Sequence, residues 1–304
     1  MINRKSLTWF VLITFAISWP LFLIPLALRR SDVFVRQLAT QGLWALAMWG
    51  PGLAAILTTW LIQKKPLRTL RLNTLGPKHF YLWAWLLPLA LTLAGGGFTL
   101  LFGLARFDAR FTAIHQSLAQ APGLGNVSPA TVVAVQILVA ITLAPLLNVI
   151  FALGEELGWR GFLLRELLPL GQWKAILISG VIWGIWHAPA VMQGLNYPGY
   201  PVLGVFMMII FCVLLGAIFS WLYLNTASPW APALAHGAVN AVAGLPVLFF
   251  QPGFNVAFGG TLATPPAWLA MALFLAWLVF TRRLPVDLSA VGWPGVEDPA
   301  QSPA

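Results

Sequence analysis

The chain has 304 residues, of which 60% are hydrophobic and 8% charged, and a formal net charge of +9. Soluble domains carry roughly 25% charged residues, so this composition excludes an ordinary water-soluble domain and reads as an all-α polytopic membrane protein. The basic residues fall in short loops between apolar runs, where they set topology and meet anionic lipid head groups; no nucleic-acid partner is expected.

The first apolar run, 7–28, follows Arg4 and Lys5. It exceeds a signal-peptide core and lacks a clear small-residue cleavage site, so a retained span is expected. A span needs about 20 apolar residues, and further candidates follow at 42–62, 79–104, 130–153, 174–193, 202–224, 230–250 and 266–281. These runs are continuously apolar rather than alternating, which argues against a transmembrane barrel. Residues 105–129 read as a longer loop and 285–304 as a disordered cytosolic tail. The expectation is about eight transmembrane helices over residues 1–284, with no soluble domain.

Loop charge orients this bundle. With the N-terminus inside, the inner segments hold Arg4, Lys5, Lys64, Lys65, Arg68, Arg71, Lys78, Arg160, Arg165, Lys174, Arg282 and Arg283. The outer segments hold Arg29, Arg30, Arg36, Arg106 and Arg110. Cytosolic loops are enriched in Lys and Arg, so both termini are expected in the cytosol.

Only eight residues are acidic, yet two of them, Glu155 and Glu156, are adjacent at the end of the fourth apolar run. Between Lys174 and Arg282 the chain has no other Lys or Arg and no Asp or Glu, but it keeps His187 and His236. Ionisable side chains in a membrane segment are costly and mark function by default. On a continuing helix Glu156 and Arg160 are i, i+4 neighbours and can pair. Glu155 then faces elsewhere, with Trp159 as its i+4 neighbour, and is the carboxylate better suited to act as a general base for water. A salt-bridged helix end is the structural alternative.

His187 lies in the fifth run, with Trp183 four residues before it and Pro189 two after. His236 and Asn240 share one face of the seventh run and can aim donors at one point, as an oxyanion site requires; an interhelical polar clamp is the alternative. No nucleophilic Ser or Cys stands in a recognisable motif, and Cys212 reads as a small apolar-region residue. Direct attack by water on a peptide carbonyl is the simplest chemistry for this set. Helix rise puts His187 about 20 Å from Lys174 but His236 about 9 Å from its own inner helix end, so they meet only if a helix is displaced inward.

Glu155-Glu156…Arg160, Trp183…His187 and His236…Asn240 stand in the order of three motifs of the CAAX protease and bacteriocin-processing (CPBP, or Abi) family of membrane proteases, which this chain resembles. That family usually has Phe where Trp183 stands. The resemblance implies a protease core at about 130–250, with Glu155 and His187 as the water-activating pair and His236 with Asn240 as the oxyanion site. Glu156, Arg160 and Trp183 would support them. It also implies a cavity opening toward the cytosol, a prokaryotic plasma-membrane location, and a membrane-tethered peptide or lipidated protein as substrate. No cofactor is expected; the alternative is zinc held by Glu155, His187 and His236 with water as a fourth ligand. Competing readings are a proton-coupled transporter, for which no internal repeat is found, a prenyltransferase, which would need a second acidic cluster, and a non-catalytic immunity protein.

Overall fold

The computed structural model describes residues 2–28, 30, 32–289, 291 and 293. Arg29 and the tail beyond 293 lie outside the described residues. Thirteen α-helices lie among the described residues: α1 (Arg4–Leu23), α2 (Val33–Ala47), α3 (Gly50–Leu57), α4 (His79–Leu101), α5 (Thr112–Gln120), α6 (Pro129–Ile141), α7 (Leu143–Gly158), α8 (Arg165–Leu167), α9 (Gln172–Trp186), α10 (Ala188–Val191), α11 (Leu203–Thr226), α12 (Trp230–Val242) and α13 (Pro265–Phe280). No β-strand occurs among the described residues; Phe107 and Phe250 form an isolated bridge.

Local sequence sets several helix starts. The Asn3 side chain accepts the Ser6 N–H, and Asp32 accepts those of Phe34 and Val35, satisfying donors that the first turn leaves free. Proline opens α6 and α13, where its missing N–H costs nothing.

By length and apolarity five segments can cross a membrane: Arg4–Leu28, Val33–Ile62, His79–Leu101, Leu203–Thr226 and Trp230–Phe249. The pair Pro129–Ile141 and Leu143–Leu170, bent by 47°, makes a sixth if taken as one span. Large apolar side chains such as Phe34, Leu82, Phe206 and Phe280 are exposed. Lipid is the solvent that such a surface requires. The chain is therefore an all-α polytopic membrane protein.

Long-range hydrogen bonds gather the chain reversals into two groups, one at each end of the bundle. At the first end Arg71 donates to the Ala227 carbonyl, Ser228 to that of Thr74, Trp230 to that of Leu72 and Arg165 to that of Thr69. The Gln172 amide exchanges two bonds with the backbone of Val286 there. At the second end Gln193 donates to the Phe22 carbonyl, Tyr197 to that of Ala263, and the Gly260 N–H to Thr99. Asp108 N–H donates to Phe249 and Gln251 N–H to Arg106 there.

Two expectations meet a different local structure. The start of the tail read as disordered is held in place: Val286 is fixed by Gln172, and the buried Trp293 packs edge-on against Tyr223 at 5.5 Å. An apolar indole and a matched amide supply the contacts that its composition concealed. The fourth run was expected to end at 153. Its helix instead continues through Gly158, a π-helical turn at Trp159–Leu164, α8 and a 3-10 turn at Leu168–Leu170.

That continuation brings Glu155 to the depth of His187. Glu155 lies 15 residues before Leu170, and His187 lies 15 residues after Gln172. At about 1.5 Å per helical residue both are roughly 20 Å from the first end. Close backbone packing then brings the helices together. A Cβ on Gly237 of α12 would lie 2.7 Å from the Pro145 carbonyl of α7, and one on Gly52 of α3 would lie 2.7 Å from that of Gly154. Small residues permit this approach between membrane helices.

Candidate active site

Every residue from Ala152 to Leu164 is buried. Within this stretch Glu155 is 2% exposed and Glu156 0%, and their surroundings differ as the spacing suggested. Glu156 Oε1 accepts from Arg160 at 2.9 Å, the i, i+4 pair. The Arg160 guanidinium sits 4.4 Å from the ring centre of Trp183 and 5.2 Å from that of Phe219, an aromatic clamp that favours a desolvated cation.

Glu155 has no cation among its hydrogen-bond partners. Its Oε2 accepts two indole N–H groups, from Trp183 at 2.6 Å and Trp159 at 3.2 Å. The Trp183 bond crosses from α9 to α7 and fixes the carboxylate to the helix that carries His187. A Phe at 183 has no N–H, so this bond is particular to the tryptophan.

His187 caps the C-terminal end of α9, and its Nδ1 lies 2.9 Å from the Trp183 carbonyl. A carbonyl only accepts, so Nδ1 carries the proton and Nε2 of the neutral ring keeps its lone pair. Cys212 is fully buried with its Sγ 3.8 Å from the same Nδ1. It therefore packs beside the site.

His236 meets Glu156. Its Nδ1 lies 2.8 Å from Glu156 Oε1, so one carboxylate holds both Arg160 and His236. Spacing within single helices could assign Arg160 to Glu156 but could not find this contact across 80 residues. The two histidine rings flank one indole: the Trp183 ring centre is 5.7 Å from that of His187 and 5.5 Å from that of His236. Nearby, Asn148 of α7 donates to the Gly237 carbonyl at 3.1 Å and ties the two motif helices.

A cavity of about 500 Å³ is lined by Glu155, Trp183, His187, His236 and Asn240. Five site residues named from sequence thus face one space, while Glu156 and Arg160 are not among its lining. Phe22, Trp44, Met208, Phe211 and Leu215 make the wall apolar, and Gln41, Asn196 and Thr261 add polar groups. Sequence alone did not single out these last three, which sit in no motif.

Glu155, His187 and His236 do not converge as a metal site; no group of three or more His, Cys, Asp or Glu among the described residues is placed to hold an ion. Nδ1 of each histidine is already hydrogen-bonded, and one oxygen of Glu155 faces two indoles. These bonds leave Nε2 of each histidine and one Glu155 oxygen open, so zinc stays the alternative to the cofactor-free reading; no step is derived through a metal.

An all-helical membrane bundle that lines one cavity with a carboxylate, two imidazoles and an amide holds the groups from which hydrolytic chemistry can be built. Residues 131–242 match a family model described as type II CAAX prenyl endopeptidase Rce1-like. The match covers the three motifs and supports a CAAX-type peptidase domain over these residues. No curated protein matches the chain.

Proposed function

We propose that this protein hydrolyses a peptide bond of a membrane-associated protein or peptide, using water activated by Glu155 and His187. The observation that carries the reading is that Glu155, His187, His236 and Asn240 line one cavity although three separate helical segments bring them there. Glu155 is held by neutral indole donors, so its second oxygen is available to orient and deprotonate a water. The unbonded Nε2 of His187 provides a second basic position. After attack, the proton held by this pair passes to the leaving amine, which balances the hydrolysis.

His236 and Asn240 receive the developing oxyanion. For His236 Nε2 to donate, the ring must carry both protons while Nδ1 stays on Glu156. Glu156 then acts as the counter-charge that orients the ring, and Arg160 anchors Glu156 in turn. A carbonyl whose oxygen sits between Nε2 and the Asn240 amide would present its carbon toward the water on Glu155.

The test is cleavage of a membrane-tethered peptide library by purified protein in lipid, with products read by mass spectrometry. Wild type is expected to give defined fragments and His187→Ala none; equal products from both would reject the mechanism. Chelator treatment followed by added zinc is the matching test of the cofactor-free reading. Activity that falls with chelator and returns with zinc would establish the zinc alternative.

A further inference from the structure

We propose that Arg68, Arg71 and Arg165 form a binding site for the phosphate of an anionic lipid, separate from the cavity that holds Glu155. The three arginines, with Thr69 and Trp293, line a hollow of about 240 Å³. None of the five belongs to the three motifs, and none lines the candidate active site.

Three distant stretches of chain supply these side chains. Arg68 lies in the 3-10 turn Leu67–Leu70, and Arg71 ends that turn in the left-handed region, at φ 60. A non-glycine residue is uncommon there and persists where its surroundings hold it. The hold is the bond from Arg71 Nε to the Ala227 carbonyl at 2.6 Å, just past the helix Leu203–Thr226. Arg165, in α8, donates through Nη1 to the Thr69 carbonyl inside the same turn. Trp293 is buried and packs edge-on against Tyr223 at 5.5 Å, which fixes the remaining wall.

Those two carbonyl bonds use one N–H of each guanidinium. A guanidinium carries five, so Arg71 and Arg165 are oriented by the backbone and keep donors for a further acceptor. Among the described residues no carboxylate pairs with Arg68, Arg71 or Arg165. Three positive charges around one hollow attract an anion, and planar N–H forks match phosphate oxygens. The surroundings select a lipid as the source of that phosphate. Leu67, Leu72 and Leu75, on either side of the arginines, are exposed. Arg71 is also tied to the end of a helix long and apolar enough to cross a membrane. A phosphate joined to acyl chains satisfies the guanidiniums and covers the leucines; a free phosphate leaves the leucines bare.

Native mass spectrometry of the detergent-purified protein tests the site without requiring activity. The protein is titrated with phosphatidylglycerol, which is anionic, and with zwitterionic phosphatidylcholine of the same acyl chains. Wild type should bind phosphatidylglycerol more tightly. Arg68→Gln should weaken that binding about fivefold, the contribution of one basic residue near a membrane surface. Arg68 is exposed and makes no side-chain hydrogen bond among the described residues, so this variant leaves both carbonyl bonds in place. Lys5→Gln, at an exposed basic residue outside the hollow, should leave the affinity unchanged. Equal binding of the two lipids by wild type would overturn the proposal. So would an equal loss in the two variants, because binding would then follow diffuse surface charge. Glycerol phosphate is the soluble arm and should displace phosphatidylglycerol only in large excess. Displacement at equal concentration, lost in Arg68→Gln, would overturn the lipid assignment and make the ligand a free phosphate ester.

Discussion

At the scale of single residues, the two adjacent glutamates are held by chemically different partners, and their substitutions should separate accordingly. Glu156 is fully buried between Arg160 and His236. Removing one member of a buried charge set strands the others and costs about 3–5 kcal/mol, so Glu156→Gln should lower the unfolding temperature in lipid as well as activity. Glu155→Gln keeps an oxygen that can accept both indole N–H groups; it should leave thermal stability nearly unchanged while removing activity. Thermal unfolding of the two variants side by side checks this contrast. Trp183→Phe removes a charge-assisted bond but keeps the ring. Hydrogen bonds to charged groups contribute about 1.5–3 kcal/mol, so kcat should fall by at least about tenfold, with a smaller change in KM and no loss of fold. An unchanged kcat would mean that Trp159 alone positions Glu155.

At the scale of elements, the site depends on how closely α7 and α12 approach. A methyl group on Gly237 would press on the Pro145 carbonyl at 2.7 Å, and backbone cannot rotate away. Overpacking of this kind costs about 1–3 kcal/mol. Gly237→Ala should therefore lower the unfolding temperature and, by moving His236 off Glu156, reduce kcat; thermal unfolding and steady-state kinetics read the two effects. At the second end, the carboxylate of Asp108 accepts the backbone N–H groups of Thr112 and Arg110, which hold it below the usual carboxylate range. A depressed folded pKa gives stability that is present above the unfolded value, about 4, and is lost as pH falls through the folded one. Hydrogen exchange in the 106–112 loop should accelerate below about pH 4 in wild type, and Asp108→Asn should remove that dependence. Much of this was legible in the sequence. Apolar run length located the helices, and i, i+4 spacing gave the Glu156–Arg160 pair. The Glu156–His236 contact, the Trp183 bond to Glu155 and the continuation of the motif helix to Leu170 were not legible. The first two join residues 80 and 28 positions apart, and the third runs through a charged, glycine-containing stretch beyond the end of the apolar run.

At the scale of the whole molecule, most of the basic residues gather at one end of the bundle. The apolar runs are long because lipid surrounds them, and the few ionisable groups inside are gathered where helices pack closest. That concentration is what a membrane protein tolerates only around a functional cavity. The central claim is that Glu155 activates water within that cavity. The most direct measurement is kcat/KM on a cleaved membrane-tethered peptide for wild type and Glu155→Gln in the same lipid. Loss of a general base should lower it by on the order of 10²–10⁴-fold while the unfolding temperature stays close to that of wild type. Equal kcat/KM in a folded Glu155→Gln protein would contradict the account.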